Sequence, residues 1–356
     1  MAEHESRPGR ASLAFTQLVG STHPAASLPL GDLLLDALRF PSEGCWAFCT
    51  FTSKEVPAVR MGFQRGGFNI TAADRLPDPS LLQLHLEIMT REGAILWLPT
   101  GRFPAGRVES QTHSLDISLQ EADREILRIT GWPEMDWSVR SDDGDVEVKL
   151  HVEIESVTIL PDCVLPRCIF AMWESVGKAW GTVRARGRTE PVEGCMFFDR
   201  PRVVHRSNAV PPRAMYLYTT MLLEDGSGIF GYHAEDERGA PIDSYCFGVH
   251  VTPQGRGQFL HKAHLERCDL DRHGLPRRWR FSWENEELGV TADITARDLG
   301  ILRSWGSPAA PQSKNEYVIF PLVLDGQAYV TNAGHRSGPL QGRGLAEYFN
   351  AALWKA

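Results

Sequence analysis

The 356-residue chain has no run approaching the roughly 20 consecutive apolar residues that a membrane helix needs. Its opening residues, MAEHESRPGR, carry charges of both signs and lead into no apolar segment, so no secretory leader is expected. An excess of positive charge is missing as well. Lys plus Arg number 37 against 45 Asp plus Glu, a net −8 that disfavours nucleic acid as the main partner. The seven cysteines, at 45, 49, 163, 168, 195, 246 and 268, form no CxxC pair, and an odd number leaves one thiol over in any full disulfide scheme. They read as reduced, mostly buried small hydrophobes. There is no GxSxG, no Walker lysine loop, no HExxH and no glycine-rich loop opening a helix. Twelve histidines are scattered, and neither His261 with His264 nor His250 with His261 completes a ligand triad. The expectation is a cytoplasmic protein with no integral membrane segment, no metal and no organic cofactor.

What the chain does have is alternation. Leu82–Met89 places Leu82, Leu84, Leu86 and Ile88 on one face and Gln83, His85, Glu87 and Met89 on the other, the pattern of a half-buried strand. Glu43–Thr52, Val146–Ile154, Gly181–Ala185, Ala214–Leu223 and a series of later segments read alike. Asp143-Gly144, Asp225-Gly226 and Asp325-Gly326 supply hairpin turns. Helical patterning is confined to short stretches near 33, 120–130 and 345–353. The expected fold is mostly β and antiparallel, because nothing supplies crossover helices. A loose arm covers residues 1–25, and β domains of barrel or sandwich type cover 26–188 and 189–356.

Asp269–Gly274 (DLDRHG) superficially resembles a calcium loop, but position 280 is Arg where the closing glutamate would stand, so a polar hairpin turn is expected. The more informative segment is Phe197–Arg206, which carries Asp199, Arg200, Arg202, His205 and Arg206 ahead of a strand bearing Tyr216 and Tyr218. Desolvation would raise the Asp199 pKa and make it a proton donor; pairing with Arg200 or Arg202 would lower it and make it an anchor. Met172–Ser175 sets Trp173 beside Glu174, a pattern that also suits a partly exposed strand end. Ten tryptophans, Trp46 and Trp173 among them, suit an apolar cavity for a hydrophobic, polycyclic or isoprenoid ligand.

Several separated pieces together resemble the lipocalin-like hydratase and cyclase superfamily, which includes carotenoid hydratases and β-barrel pericyclases. The pieces are Glu43–Trp46, Met135–Leu150, Gly181–Arg184 with Pro191–Gly194 ahead of Phe198-Asp199-Arg200, and Gly334 through Gln341–Tyr348. The resemblance implies two lipocalin-like β domains, with a ligand cavity in the N-terminal barrel or at the domain interface. Where the family has an Asp-His pair followed by Trp-Gly, this chain has Asp199-Arg200-Pro201-Arg202, so His205 is either a displaced substitute or a bystander. Two functions follow as expectations. One is a cofactor-independent lyase or isomerase acting on a hydrophobic terpenoid, steroid or polyketide by hydration, dehydration, double-bond migration or cyclisation. Asp199, Glu174 and His205 are its candidate acid–base residues, and Trp46, Trp173, Arg200, Tyr216 and Tyr218 would contact substrate. The other is a non-catalytic carrier of the same class of small molecule. Either leaves room for a homodimer.

Overall fold

A computed structural model describes residues 21–27, 42–65, 82–97, 108–111, 114–121, 124–141, 143–159, 163–165, 168–205, 215–236, 238–254, 256–272, 274–299, 303–305 and 317–350. Among them there is no α-helix. The first sheet takes β1 (Ser21–Pro24), β2 (Ser42–Phe51), β3 (Ala58–Arg65), β4 (Leu82–Thr90), β5 (Gly93–Trp97), β6 (Val108–Gln111) and β7 (Ser114–Glu121). It continues with β8 (Arg124–Gly131), β9 (Glu134–Arg140), β10 (Glu147–Ile159), β11 (Cys163–Leu165), β12 (Cys168–Ala185) and β13 (Arg188–His205). The second takes β14 (Met215–Leu223), β15 (Gly228–Glu235), β16 (Phe247–Val251), β17 (Gly257–Leu260), β18 (Lys262–Leu270) and β19 (Pro276–Glu284). After these come β20 (Leu288–Leu299), β21 (Arg303–Trp305), β22 (Tyr317–Asn332), β23 (His335–Arg336) and β24 (Leu340–Asn350).

Both sheets follow one plan. The spatial order is β5-β4-β3-β2-β13-β12-β10-β9-β8-β7-β6 in the first and β17-β16-β15-β14-β24-β22-β20-β19-β18 in the second. In each, the last long strand returns to pair with an early one, β13 with β2 and β24 with β14. All the pairings are antiparallel, and the sheets curl into half-barrels, the two-domain lipocalin-like architecture. The division drawn from the sequence at 188/189 falls at the tip of the β12–β13 hairpin. The first sheet therefore runs on to His205, and the second begins at Met215.

Strand alternation sorts the apolar side chains into three cores. Leu86, Val59, Trp137 and Phe198 fill the inner face of the first sheet. Leu217, Trp279, Phe281 and Trp283 fill that of the second. Between the sheets lies a third core, in which Trp46, Phe48 and Phe197 meet Tyr216, Tyr218, Phe230, Tyr232 and Phe247. β13 shows how one strand serves two cores: Met196 and Phe198 turn inward while Cys195 and Phe197 turn to the other sheet.

Several sequence expectations need correction. Residues 124–131 are strand β8 rather than helix, because Ile126, Leu127 and Ile129 are buried in a sheet, where β-branched residues pack well. Leu340–Asn350 is likewise a strand, covering most of the helical stretch expected near 345–353. The short helix near 33 lies outside the described residues. Within the expected loose arm, Ser21–Pro24 form strand β1, paired with β10. β4 is buried on both faces, because the second sheet covers its polar side. The turns at Asp143-Gly144 and Asp225-Gly226 form as expected, with φ of +71° and +82° at the glycines and each Asp Oδ1 accepting from the backbone N–H two residues on. Asp325-Gly326 instead lies within β22, and the turn falls at Ala333-Gly334. The residue at 326 is glycine for want of space: a Cβ there would come within 2.8 Å of the Asp293 carbonyl oxygen and 2.7 Å of the Met221 methyl. Asp271 organises the DLDRHG segment as a hairpin turn, accepting from the Leu275 N–H at 3.0 Å and pairing with Arg277.

Gly326→Ala is expected to cost about 1–3 kcal/mol through overpacking. Gly338→Ala, where nothing lies within 4 Å of the added Cβ, is the near-neutral control. Chemical denaturation of both variants checks this, and equal midpoints would contradict it.

Candidate active site

The polar groups of the interface are set by register. Across the first sheet, Glu174 on β12 stands opposite Asp199 on β13, which stands opposite Trp46 on β2, then Gly62 on β3 and His85 on β4. The next row on the same face runs Val176, Phe197, Phe48, Arg60 and Glu87. From the second sheet, Tyr218 on β14 stands between Glu347 on β24 and Tyr232 on β15. Arg60 reaches across and forms a buried ion pair with Glu347. Its guanidinium lies over the rings of Trp46, at 4.7 Å, and Phe48, at 5.4 Å. His85 meets Trp46 edge-on at 5.3 Å, and Phe48 meets Tyr218 across the interface at 4.9 Å.

The result is an acid-rich, aromatic-walled cluster closed off from water. Glu174, Glu87, Arg60 and His85 are each at most 3% exposed. Asp199 is partly exposed as a residue, yet its Oδ1 is buried. Both Glu174 oxygens, Asp199 Oδ1 and the Tyr218 hydroxyl have no hydrogen-bond partner among the described residues. Burial pushes the Glu174 carboxyl well above its usual range, and the neighbouring Asp199 adds to the shift. Asp199 is pushed well up by burial and by Glu347, against the opposing pull of Arg60. Tyr218 is raised by burial first, then by Glu174, Asp199 and Glu347. Two carboxyls facing each other across a strand pair, both starved of solvation, favour holding a proton between them over carrying two charges.

Of the sequence-predicted residues, the structure brings together Asp199, Glu174, Trp46 and Tyr218, with Tyr216 stacked on Tyr232 at 5.5 Å beside them. Glu174 sits within an 18-residue strand rather than at an exposed strand end, because the second sheet covers it. The side chains of Trp173, Arg200 and His205 lie outside the described residues. Sequence reasoning missed Arg60, Glu347, His85 and Glu87. The alternation of β4 did place His85 and Glu87 together on its polar face, but nothing local signalled that a second sheet would cover that face. Among the described residues no group of three or more His, Cys, Asp or Glu is arranged to hold a metal, and no helix is long and apolar enough to cross a membrane. A cavity of about 620 Å³ opens elsewhere, on the second sheet, lined by Lys262, His264, Trp283, Glu284 and Asn285 among others. It contains none of the buried acids, so the chemistry points to the interface rather than to this hollow.

No protein-family model and no curated protein sequence matches the chain. Solved structures do. A candidate AttH of Nitrosomonas europaea superposes with a TM-score of 0.58 at 14% identity, over 89% of this chain and 94% of that one. Kievitone hydratase from Nectria haematococca gives 0.52 at 12% identity, over 88% and 90%. CghA, solved with Sch210972, gives 0.50 at 10% identity, over 94% and 96%. The chain has the lipocalin-like fold of these proteins along nearly its whole length, a fold that serves a hydratase among others.

An acid whose folded pKa is raised keeps a proton that the unfolded chain releases. Below the ordinary carboxyl range both states are protonated and nothing is lost; stability then falls as pH rises towards the folded value. Glu174→Gln removes the titrating group at constant shape. Its stability is expected to match the wild type in acid and to exceed it at neutral pH, by about 1.4 kcal/mol for each pH unit above the unfolded pKa until the folded value is reached, with a correspondingly higher thermal midpoint. A midpoint lower than wild type at neutral pH would mean that Glu174 is ionised and well paired.

Proposed function

We propose that the protein is a cofactor-independent lyase or isomerase that moves protons on a hydrophobic terpenoid, steroid or polyketide bound between the two sheets. One observation carries the reading: Glu174 and Asp199 are opposed across a strand pair, with both Glu174 oxygens and Asp199 Oδ1 buried and without hydrogen-bond partners among the described residues, at a junction walled by aromatic rings. In this reading the pair shares a proton. The protonated member donates to a double bond or to a leaving hydroxyl, and the ionised member removes a proton from the neighbouring carbon. Trp46, Phe48 and the tyrosine faces steady positive charge developing between those steps and hold the substrate in a reactive conformer. Arg60, clamped to Glu347, keeps a fixed cation beside the pair. The likeness in fold to a hydratase and to CghA supports the reaction class, while the substrate rests on the apolar, aromatic lining.

The test offers polyene, steroid and polyketide candidates in deuterated water and follows deuterium incorporation or bond rearrangement by mass spectrometry. Wild-type turnover should fall about 10²- to 10⁴-fold in Asp199→Asn and in Glu174→Gln, the scale of a lost general acid or base. Native mass spectra should still show ligand bound to both variants. A ligand recovered unchanged from the wild type, and held equally by both variants, would make the protein a carrier.

A further inference from the structure

A second cluster, on the inner face of the second sheet, is unrelated to the interface acids. β15 and β16 pair with Tyr232 opposite Phe247, which sets His233 beside Cys246, just ahead of β16. Glu235, two residues beyond His233 on the same strand, shares its face. The contacts follow that placement. Cys246 Sγ lies 3.5 Å from His233 Nδ1, and His233 Nε2 lies 3.1 Å from Glu235 Oε1. With Nε2–H donating to the carboxylate, Nδ1 is left with its lone pair towards the thiol, the tautomer a general base requires. The thiol is also within 3.5 Å of the Ala234 carbonyl oxygen, which it can donate to at rest. Phe281 closes the site on one side, its ring 6.5 Å from that of His233.

We propose that Cys246, His233 and Glu235 form a base-assisted thiol site that is modified by a soft, neutral electrophile of the α,β-unsaturated carbonyl class. Sγ bonds to the β-carbon as His233 Nδ1 takes the thiol proton, and the π pair moves to the α-carbon. The imidazolium, steadied by Glu235, then returns the proton there. One S–C bond and one C–H bond form, one S–H bond and one π bond break, and no oxidant or reductant is consumed. The histidine is essential because the thiol is neutral at rest. Burial raises Cys246, Asp243 and Glu235 add to that, and backbone hydrogen bonds at Ala234 and Ile242 only partly offset it.

The chain contains its own control. Cys195 is 7% exposed against 5% for Cys246, burial and Glu155 push its thiol up to about 12, and it makes no hydrogen bond to a histidine among the described residues. If exposure governs reactivity, Cys195 reacts at least as fast as Cys246. If the histidine governs it, Cys246 reacts first. The experiment treats the native full-length protein with N-ethylmaleimide and follows each cysteine by peptide mass mapping. Cys246 should be labelled at least about tenfold faster than Cys195, with His233→Gln slowing it about 10²-fold and Glu235→Gln by less. Circular dichroism verifies that the variants are folded, and the wild-type comparison stands without them. Labelling of Cys246 no faster than Cys195, or a rate indifferent to His233→Gln in a folded variant, would overturn the proposal.

Discussion

The arrangement of this protein turns on a single guanidinium enclosed between two sheets. Arg60 faces Glu347 across the interface and shares its face of the first sheet with Glu87, Asp199 and Glu174. Among the described residues, one positive charge set among four carboxyl groups cannot balance them if all are ionised, and little solvent is there to help. The inexpensive solution is to leave protons on the acids, which is the direction both Glu174 and Asp199 take. Removing the arginine would strand Glu347 in the same surroundings, the kind of loss that costs about 3–5 kcal/mol. The ion pair therefore links two matters that are usually separate, the docking of the sheets and the proton inventory of the site.

The site has no meaning in one sheet alone. β12, β13, β2 and β3 supply the acid pair, Trp46, Phe48 and Arg60, while β14 and β24 supply Tyr218 and Glu347. The outward face of each half-barrel, which in an isolated domain would meet water, is here the floor or the roof of the cluster. That explains why β14 is buried along almost its entire length, and why aromatic residues crowd the junction. A polar group on such a face loses its solvent only when the two sheets meet, so docking itself raises the pKa of the acids.

How much of this could be read in the chain follows from the same geometry. Alternation gave most of the strands, because period two is written locally and survives whatever covers it. Gly144 and Gly226 were legible as turns because the asparaginyl-like capping by Asp143 and Asp225 is local too. Asp325-Gly326 misled, because the demand for glycine there arises from Met221 and Asp293, distant in sequence. The acids separated along the same line. Asp199 stood out beside its arginines, but among the described residues the cation that acts on it is Arg60, some 140 residues earlier. His85 and Glu87 looked like the wet side of an ordinary strand. Local pattern identifies a strand's two faces, and only the tertiary arrangement decides whether the polar one stays wet.

The thermodynamic cost of the cluster bears on what it is for. A carrier of neutral, hydrophobic molecules is best served by apolar walls, and a buried carboxyl whose pKa is raised makes such a protein less stable at neutral pH. Apolar residues of similar size at positions 174 and 199 would avoid the penalty, and replacing buried ionic groups by apolar ones is often neutral or favourable. The chain instead carries Glu and Asp in direct cross-strand opposition, with a tyrosine of the facing sheet within their electrostatic reach and a clamped arginine alongside. A stability cost concentrated on titratable groups in a largely buried, aromatic setting supports the proposed proton chemistry. The same reasoning sets a boundary on it. Two acids that share a proton can deliver it and recover it within one turnover, so the chemistry they suit is one that leaves the protein's own protonation unchanged.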